Sequence, residues 1–129
     1  MKTKLIFFVF LLFSIVNMKA QCNPTITSPR LGVKSPGKIL FCESEDEVLS
    51  TQTFGTYQWY KQEWTWQTPN NNPWVAIPGA TSQQLTISGN DQLYYFKVVV
   101  SQGDCTAESP AIMADGFVYG LPAMISIGL

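Results

Sequence analysis

The chain has 129 residues, 46% of them apolar, and a formal net charge of −1, which bounds it to one domain of modest size. It contains no histidine, so the commonest general base and a common zinc ligand are both missing. Its 8 basic and 9 acidic side chains form no basic stripe, which argues against nucleic acid or an anionic membrane surface as a partner.

In chain order, residues 1–20 come first, with a basic start at Lys2 and Lys4, an apolar run from Leu5 to Val16, and a short polar stretch closing at Ala20. This is the pattern of a cleaved signal peptide. Twelve residues of helix span only about 18 Å against a hydrocarbon core of about 30 Å, which disfavours a permanent transmembrane helix. Cleavage after Ala20 removes Lys2, Lys4 and Lys19 and no acid, leaving five basic and nine acidic side chains, a net charge of −4. The expected destination is secretion or the cell surface, where one internal disulfide can form among Cys22, Cys42 and Cys105 and one thiol is left over. No two cysteines are closely spaced, so no metal site is expected, and no cofactor motif is present.

Residues 23–40 carry Pro24, Pro29, Gly32, Pro36 and Gly37, which exclude a helix and predict an edge strand with breaks. Cys42 to Ser50 starts acidic and ends in Val48 and Leu49, a turn leading into a strand. Thr56 to Gln62 is aromatic and favours a central strand with Trp59 turned into the core. Thr68 to Pro73 is a loop, Trp74 to Ile77 a short strand, Pro78 and Gly79 a turn, Gln83 to Ser88 a strand, and Gly89 to Asp91 a turn. Leu93 to Ser101 is the strongest strand; Gln102, Gly103 and Asp104 then turn the chain into a last strand, Cys105 to Met113. This spacing predicts an all-β antiparallel sandwich of about seven strands over residues 21–113, with 114–129 as a tail or linker, the start of a further repeat.

The series FCESEDEVLS (41–50), YQWYK (57–61), AIPGATSQQLTIS (76–88) and YYFKVVVSQGDCTAESPA (94–111) resembles the immunoglobulin-like repeats of secreted Bacteroidetes surface proteins. The resemblance covers roughly residues 40–113. It implies an immunoglobulin-like sandwich used in extracellular arrays and adhesins, neighbouring repeats as partners, and a Cys42–Cys105 disulfide. Strand topology offers an alternative, because in a standard sandwich the start of the second strand and the start of the last lie at opposite ends. Cys22 could instead lie near Cys105 if the first strand runs parallel to the last. One segment departs from the repeats: QEWTWQTPNNNPWV is longer than the connection they commonly use.

All four tryptophans, Trp59, Trp64, Trp66 and Trp74, fall within sixteen residues of the chain. Regular alternation turns Tyr57 and Trp59 one way and Tyr60, Trp64 and Trp66 the other. Tyr60, Trp64, Trp66 and Trp74 are therefore the candidate ligand-binding residues, able to stack on sugars or grip a peptide. The competing reading is that Trp64 and Trp66 pair with Trp74 across a hairpin and cover the sheet. The acidic run Glu43, Glu45, Asp46 and Glu47 matches no calcium loop and reads as a charged turn. No catalytic residues are expected, since the carboxylates sit mostly at turns and nothing in the spacing brings a pair such as Glu63 and Asp91 together. The expected function is a non-enzymatic module of extracellular recognition or adhesion with a protein or polysaccharide ligand; the alternative is a spacer repeat with no ligand of its own.

Overall fold

A computed structural model describes residues 22–41 and 45–116. The expected signal peptide, Cys42 and most of the expected tail lie outside the described residues. The strands are β1 (Lys38–Phe41), β2 (Asp46–Ser50), β3 (Thr56–Glu63), β4 (Trp74–Ala76), β5 (Gln84–Ser88), β6 (Tyr94–Gln102), β7 (Cys105–Glu108) and β8 (Ile112–Gly116). The only helical element among the described residues is a 3₁₀ turn, Gly89–Asp91, so the chain is all-β.

Six strands form one sheet in the order β1, β8, β6, β3, β4, with β7 pairing β6 beyond β8; β2 and β5 form a second sheet. β1 and β8 are parallel and every other pair is antiparallel. The long β3–β6 ladder sets the centre, with Trp59 opposite Val98. Because successive side chains point to opposite faces, Phe96, Val98 and Val100 of β6 go inward while Tyr95, Lys97 and Val99 go outward. The inward residues join Ile39, Phe41, Trp59, Ile112 and Ala114 of the same sheet and Leu49 and Ile87 of the smaller one in a single core. Trp59 is fully buried as expected, and its indole N–H donates to the Ser82 carbonyl at 2.8 Å.

The expected last strand is in fact two. β6 pairs first with β7 and then with β8, and the break falls at Pro110, which has no N–H to give a ladder. Ser109 bridges the gap: its N–H donates to Val98 O at 2.9 Å and its Oγ accepts from Val98 N at 3.0 Å. β8 also runs past Met113, where the tail was expected to begin. Ala114 and Gly116 pair with Ile39 and Phe41 of β1, and Ala114 is fully buried, so residues 114–116 belong to the sheet.

The disulfide joins Cys22 to Cys105, with the Cα atoms 6.0 Å apart, and not Cys42 to Cys105. The segment before β1 lies against the end of β2 through the Thr27–Ser50 bridge and a hydrogen bond from Thr25 N to Gln52 Oε1. It thus reaches the end of the molecule where β6 turns into β7 at Gln102 and Cys105.

The acidic run is also more than a charged turn. Glu47 shares a face with Leu49, two residues on, and is buried with it. Its carboxylate accepts from Ser28 Oγ at 3.0 Å, Arg30 N at 2.7 Å and Arg30 Nε at 3.3 Å, and Arg30 also pairs with Glu45. Burial alone would lower the Arg30 pKa, but the hydrogen bonds and charges of Glu45 and Glu47 outweigh it and hold it above its ordinary value. The guanidinium also lies 5.0 Å from the Phe41 ring centroid. Arg30→Ala is expected to lower unfolding stability by about 2 kcal/mol, because Glu47 keeps its two other donors but loses its counter-charge. Arg30→Lys should restore only part of this, since a single ammonium cannot reproduce the fork. Urea unfolding measures both, and a loss under about 0.5 kcal/mol for the alanine variant would reject this assignment.

Candidate functional site

The outer face of the large sheet carries the aromatic residues singled out above, and the structure sorts them into two groups. Tyr60 lies opposite Lys97 on β6, and Trp74 lies opposite Gln62. The Lys97 ammonium sits 4.5 Å from the Trp74 ring centroid and 5.9 Å from that of Tyr60, and pairs with Glu108 at 3.0 Å. Tyr60 and Trp74 are therefore half-buried partners of a lysine stem that lies across the sheet, the packing role that cation–π contact and snorkelling give such residues.

Trp64 and Trp66 follow the end of β3 and stand apart from that cluster. The rings meet edge to face, with centroids 4.7 Å apart and planes at 70°. Trp64 is half-buried, whereas Trp66 is 84% exposed, the most exposed large apolar side chain among the described residues. Pairing of these two rings with Trp74 is not what forms: Trp74 has Lys97 as its ring partner.

The loop that holds them is tied down by its own polar side chains. Gln62, buried on the outer face, donates to Asn72 O at 2.7 Å and to Asn70 O at 3.3 Å. Asn72 Nδ2 donates back to Glu63 O at 2.9 Å, and Thr68 Oγ1 donates to Asn72 Oδ1 at 2.9 Å. Thr65 and Thr68 share a hydroxyl contact of 2.6 Å. The stretch TPNNNP is irregular, as expected, and side chains of Thr65, Asn72 and Gln62 bind its backbone at Thr68, Asn70 and Asn72.

A second anchor comes from Leu93. Its φ of 68° lies in the left-handed region that a bulky residue adopts only under compulsion, a cost of order 1 kcal/mol or more. In that conformation its N–H donates to Ala114 O at 2.7 Å and its carbonyl accepts from Trp64 N at 2.8 Å. Leu93 thus bolts the Trp64 backbone to the β8 edge.

Between the tryptophan loop and β1, β6 and β8 lies a cleft of about 680 Å³. Trp64 and Trp66 form one wall; Leu40, Leu93, Tyr95 and Met113 supply the apolar floor; Lys38 and Asp115 supply the charge. These two form an ion pair at 3.4 Å, with the side chains 42% and 26% exposed. Leu40, Tyr95 and Met113 are the outward positions of strands whose alternate residues fill the core, so the cleft is the outer surface of the sheet roofed on one side by the loop. Reasoning from the sequence found Trp64 and Trp66 but not Lys38, Leu40, Leu93, Tyr95, Met113 or Asp115. Only the parallel pairing of β1 with β8 brings Lys38 beside Asp115.

Of the two carboxylates considered earlier, Asp91 has a structural role. Asp91 accepts from Ser88 N at 2.8 Å, in the capping box of the 3₁₀ turn. Among the described residues no group of three or more acidic or cysteine side chains is arranged to hold a metal ion.

Fold and site together define a small all-β domain of two sheets around one core, stapled by a disulfide, with an aromatic cleft on its larger outer face. Residues 34–114 match the domain of unknown function DUF8696, and the chain belongs to that family. No curated protein matches the sequence.

Proposed function

We propose that the chain is an exported, non-catalytic immunoglobulin-like module of extracellular recognition or adhesion, and that its contact surface is the cleft beneath Trp64 and Trp66. The observation that carries this reading is the exposure of Trp66: a large ring, 84% exposed, held on a loop whose hydrogen bonds fix its position. An exposed ring paired with a second tryptophan beside an apolar cleft supports a partner site there. The immunoglobulin-like assignment draws support from a Trp on the central strand packed between two sheets, the position of the core Trp in such domains. Here Leu49, Ile87 and Val98 fill the core around that ring, and the disulfide ties the first segment to the last hairpin instead of joining the two sheets. Export draws support from the signal-like residues 1–20 and from a disulfide, which requires an oxidising compartment.

The test is binding of the purified chain to immobilised polysaccharides and extracellular-matrix proteins, with the Trp66→Ala variant alongside. Trp66→Ala is expected to abolish retention while changing unfolding stability by no more than about 0.5 kcal/mol, because the ring contributes little to the core. Retention that is equal in both proteins would reject the cleft as the contact surface, and no retention at all would leave a spacer module.

A further inference from the structure

We infer that the cleft takes a neutral polysaccharide whose pyranose rings carry equatorial substituents, a β-linked glucan of the cellulose type; the inference rests on the recognition reading above and names its ligand class. The first ground is shape. Such a sugar presents a flat face of axial C–H groups, and its complement is an aromatic plane that is both open and fixed in angle. Trp66 is open, and Trp64 fixes its angle by meeting it edge to face at 4.7 Å.

The second ground is the polar pair in the floor. Lys38 offers only donors and Asp115 only acceptors, 3.4 Å apart. A sugar hydroxyl is donor and acceptor at once, so vicinal hydroxyls can satisfy both groups as a sugar displaces their water. An apolar peptide side chain laid over the same pair would strip that water and return nothing, at a cost that grows with burial. This favours a sugar over a hydrophobic peptide segment.

The third ground is charge. The Lys38 charge is offset by Asp115 within the cleft, and no other charged side chain lines it. An anionic glycan would meet Asp115 as closely as Lys38, so the cleft selects against sulfate and uronate as well as against cations. The volume of about 680 Å³ falls within the roughly 300–1,000 Å³ of ordinary ligand sites. Finally, the loop and the strained Leu93 hold the wall in place before the ligand arrives, which reduces the ordering that binding must impose.

Titration of the full chain with cellohexaose, followed by tryptophan fluorescence with and without acrylamide, tests the inference. Saturable change in emission and reduced quenching are expected, largely insensitive to salt. Trp66→Ala should weaken the affinity at least about tenfold, Trp66→Phe less, and Asp115→Asn about threefold or more. The unfolding midpoint of each variant, measured in parallel, separates loss of ligand from loss of fold. No change in emission up to about 10 mM cellohexaose overturns the glucan. Salt-sensitive binding of dextran sulfate in its place also overturns it. If collagen or fibronectin binds instead and Trp66→Ala abolishes that, the glucan fails and the recognition module stands; if neither sugar nor protein binds, both fail.

Discussion

Trp59→Ala is expected to destabilise the fold by about 4 kcal/mol, close to the whole stability of a domain this small. The indole is fully buried at the middle of β3, opposite Val98 and within the one cluster to which both sheets contribute. Removing it opens a cavity that the neighbouring β-branched side chains cannot collapse to fill, because they are held by the β3–β6 ladder. It also takes away the donor that satisfies the Ser82 carbonyl at 2.8 Å. Trp59→Phe keeps most of the apolar volume and should recover roughly half the loss, leaving mainly the hydrogen bond and a smaller void. Urea or thermal unfolding of the three proteins measures the effect; a loss under about 1.5 kcal/mol for the alanine variant would mean that the core is not organised around this ring.

The second large effect concerns the disulfide. Cys22 and Cys105 are 83 positions apart, and the chain-entropy estimate for a loop of that size is about 4.5 kcal/mol, with measured native bridges typically giving 2–5 kcal/mol. Cys22→Ser and Cys105→Ser should therefore each destabilise strongly and to a similar extent, whereas Cys42→Ser breaks no bridge to Cys105 and should cost far less. The pattern discriminates between pairings, since a Cys42–Cys105 bridge would make Cys42→Ser severe and Cys22→Ser mild. Peptide mapping without reduction gives the same answer independently, by the presence of a fragment joining the Cys22 and Cys105 peptides.

Strands were readable wherever burial imposed alternation. Tyr94 to Gln102 announces itself because every second residue faces the core, and Trp59 is placed by the same rule. The same rule, applied to DEVLS, puts Glu47 on the face of Leu49, so its burial was available from spacing; what spacing does not supply is the counter-charge, since Arg30 lies 17 residues earlier in an irregular segment. Pro110 was a visible reason to split the last strand, while Ser109 as its remedy depends on a hydroxyl reaching back to Val98. The parallel β1–β8 pair joins residues more than seventy positions apart, and no local signal encodes it. That pair decides the rest: it extends the sheet to Gly116 and sets Lys38 beside Asp115. The tryptophan wall of the cleft was therefore legible and its floor was not, because side-chain direction follows from local period whereas the meeting of distant outward faces follows from topology.

The Cys22–Cys105 bridge also has a mechanical meaning. Tension applied through the two ends of the described chain enters at Cys22 and passes directly through the bond to Cys105, bypassing β1 to β6. Those strands carry the core, the Arg30 clasp and most of the cleft, and the covalent link prevents them from being drawn out as extended chain. Only the short stretch through β7 and β8 can lengthen. Because β8 runs parallel to β1 and antiparallel to β6, drawing it along its axis slides it against both neighbours, so several hydrogen bonds share the load instead of opening one by one. A domain linked in this way yields little length under load.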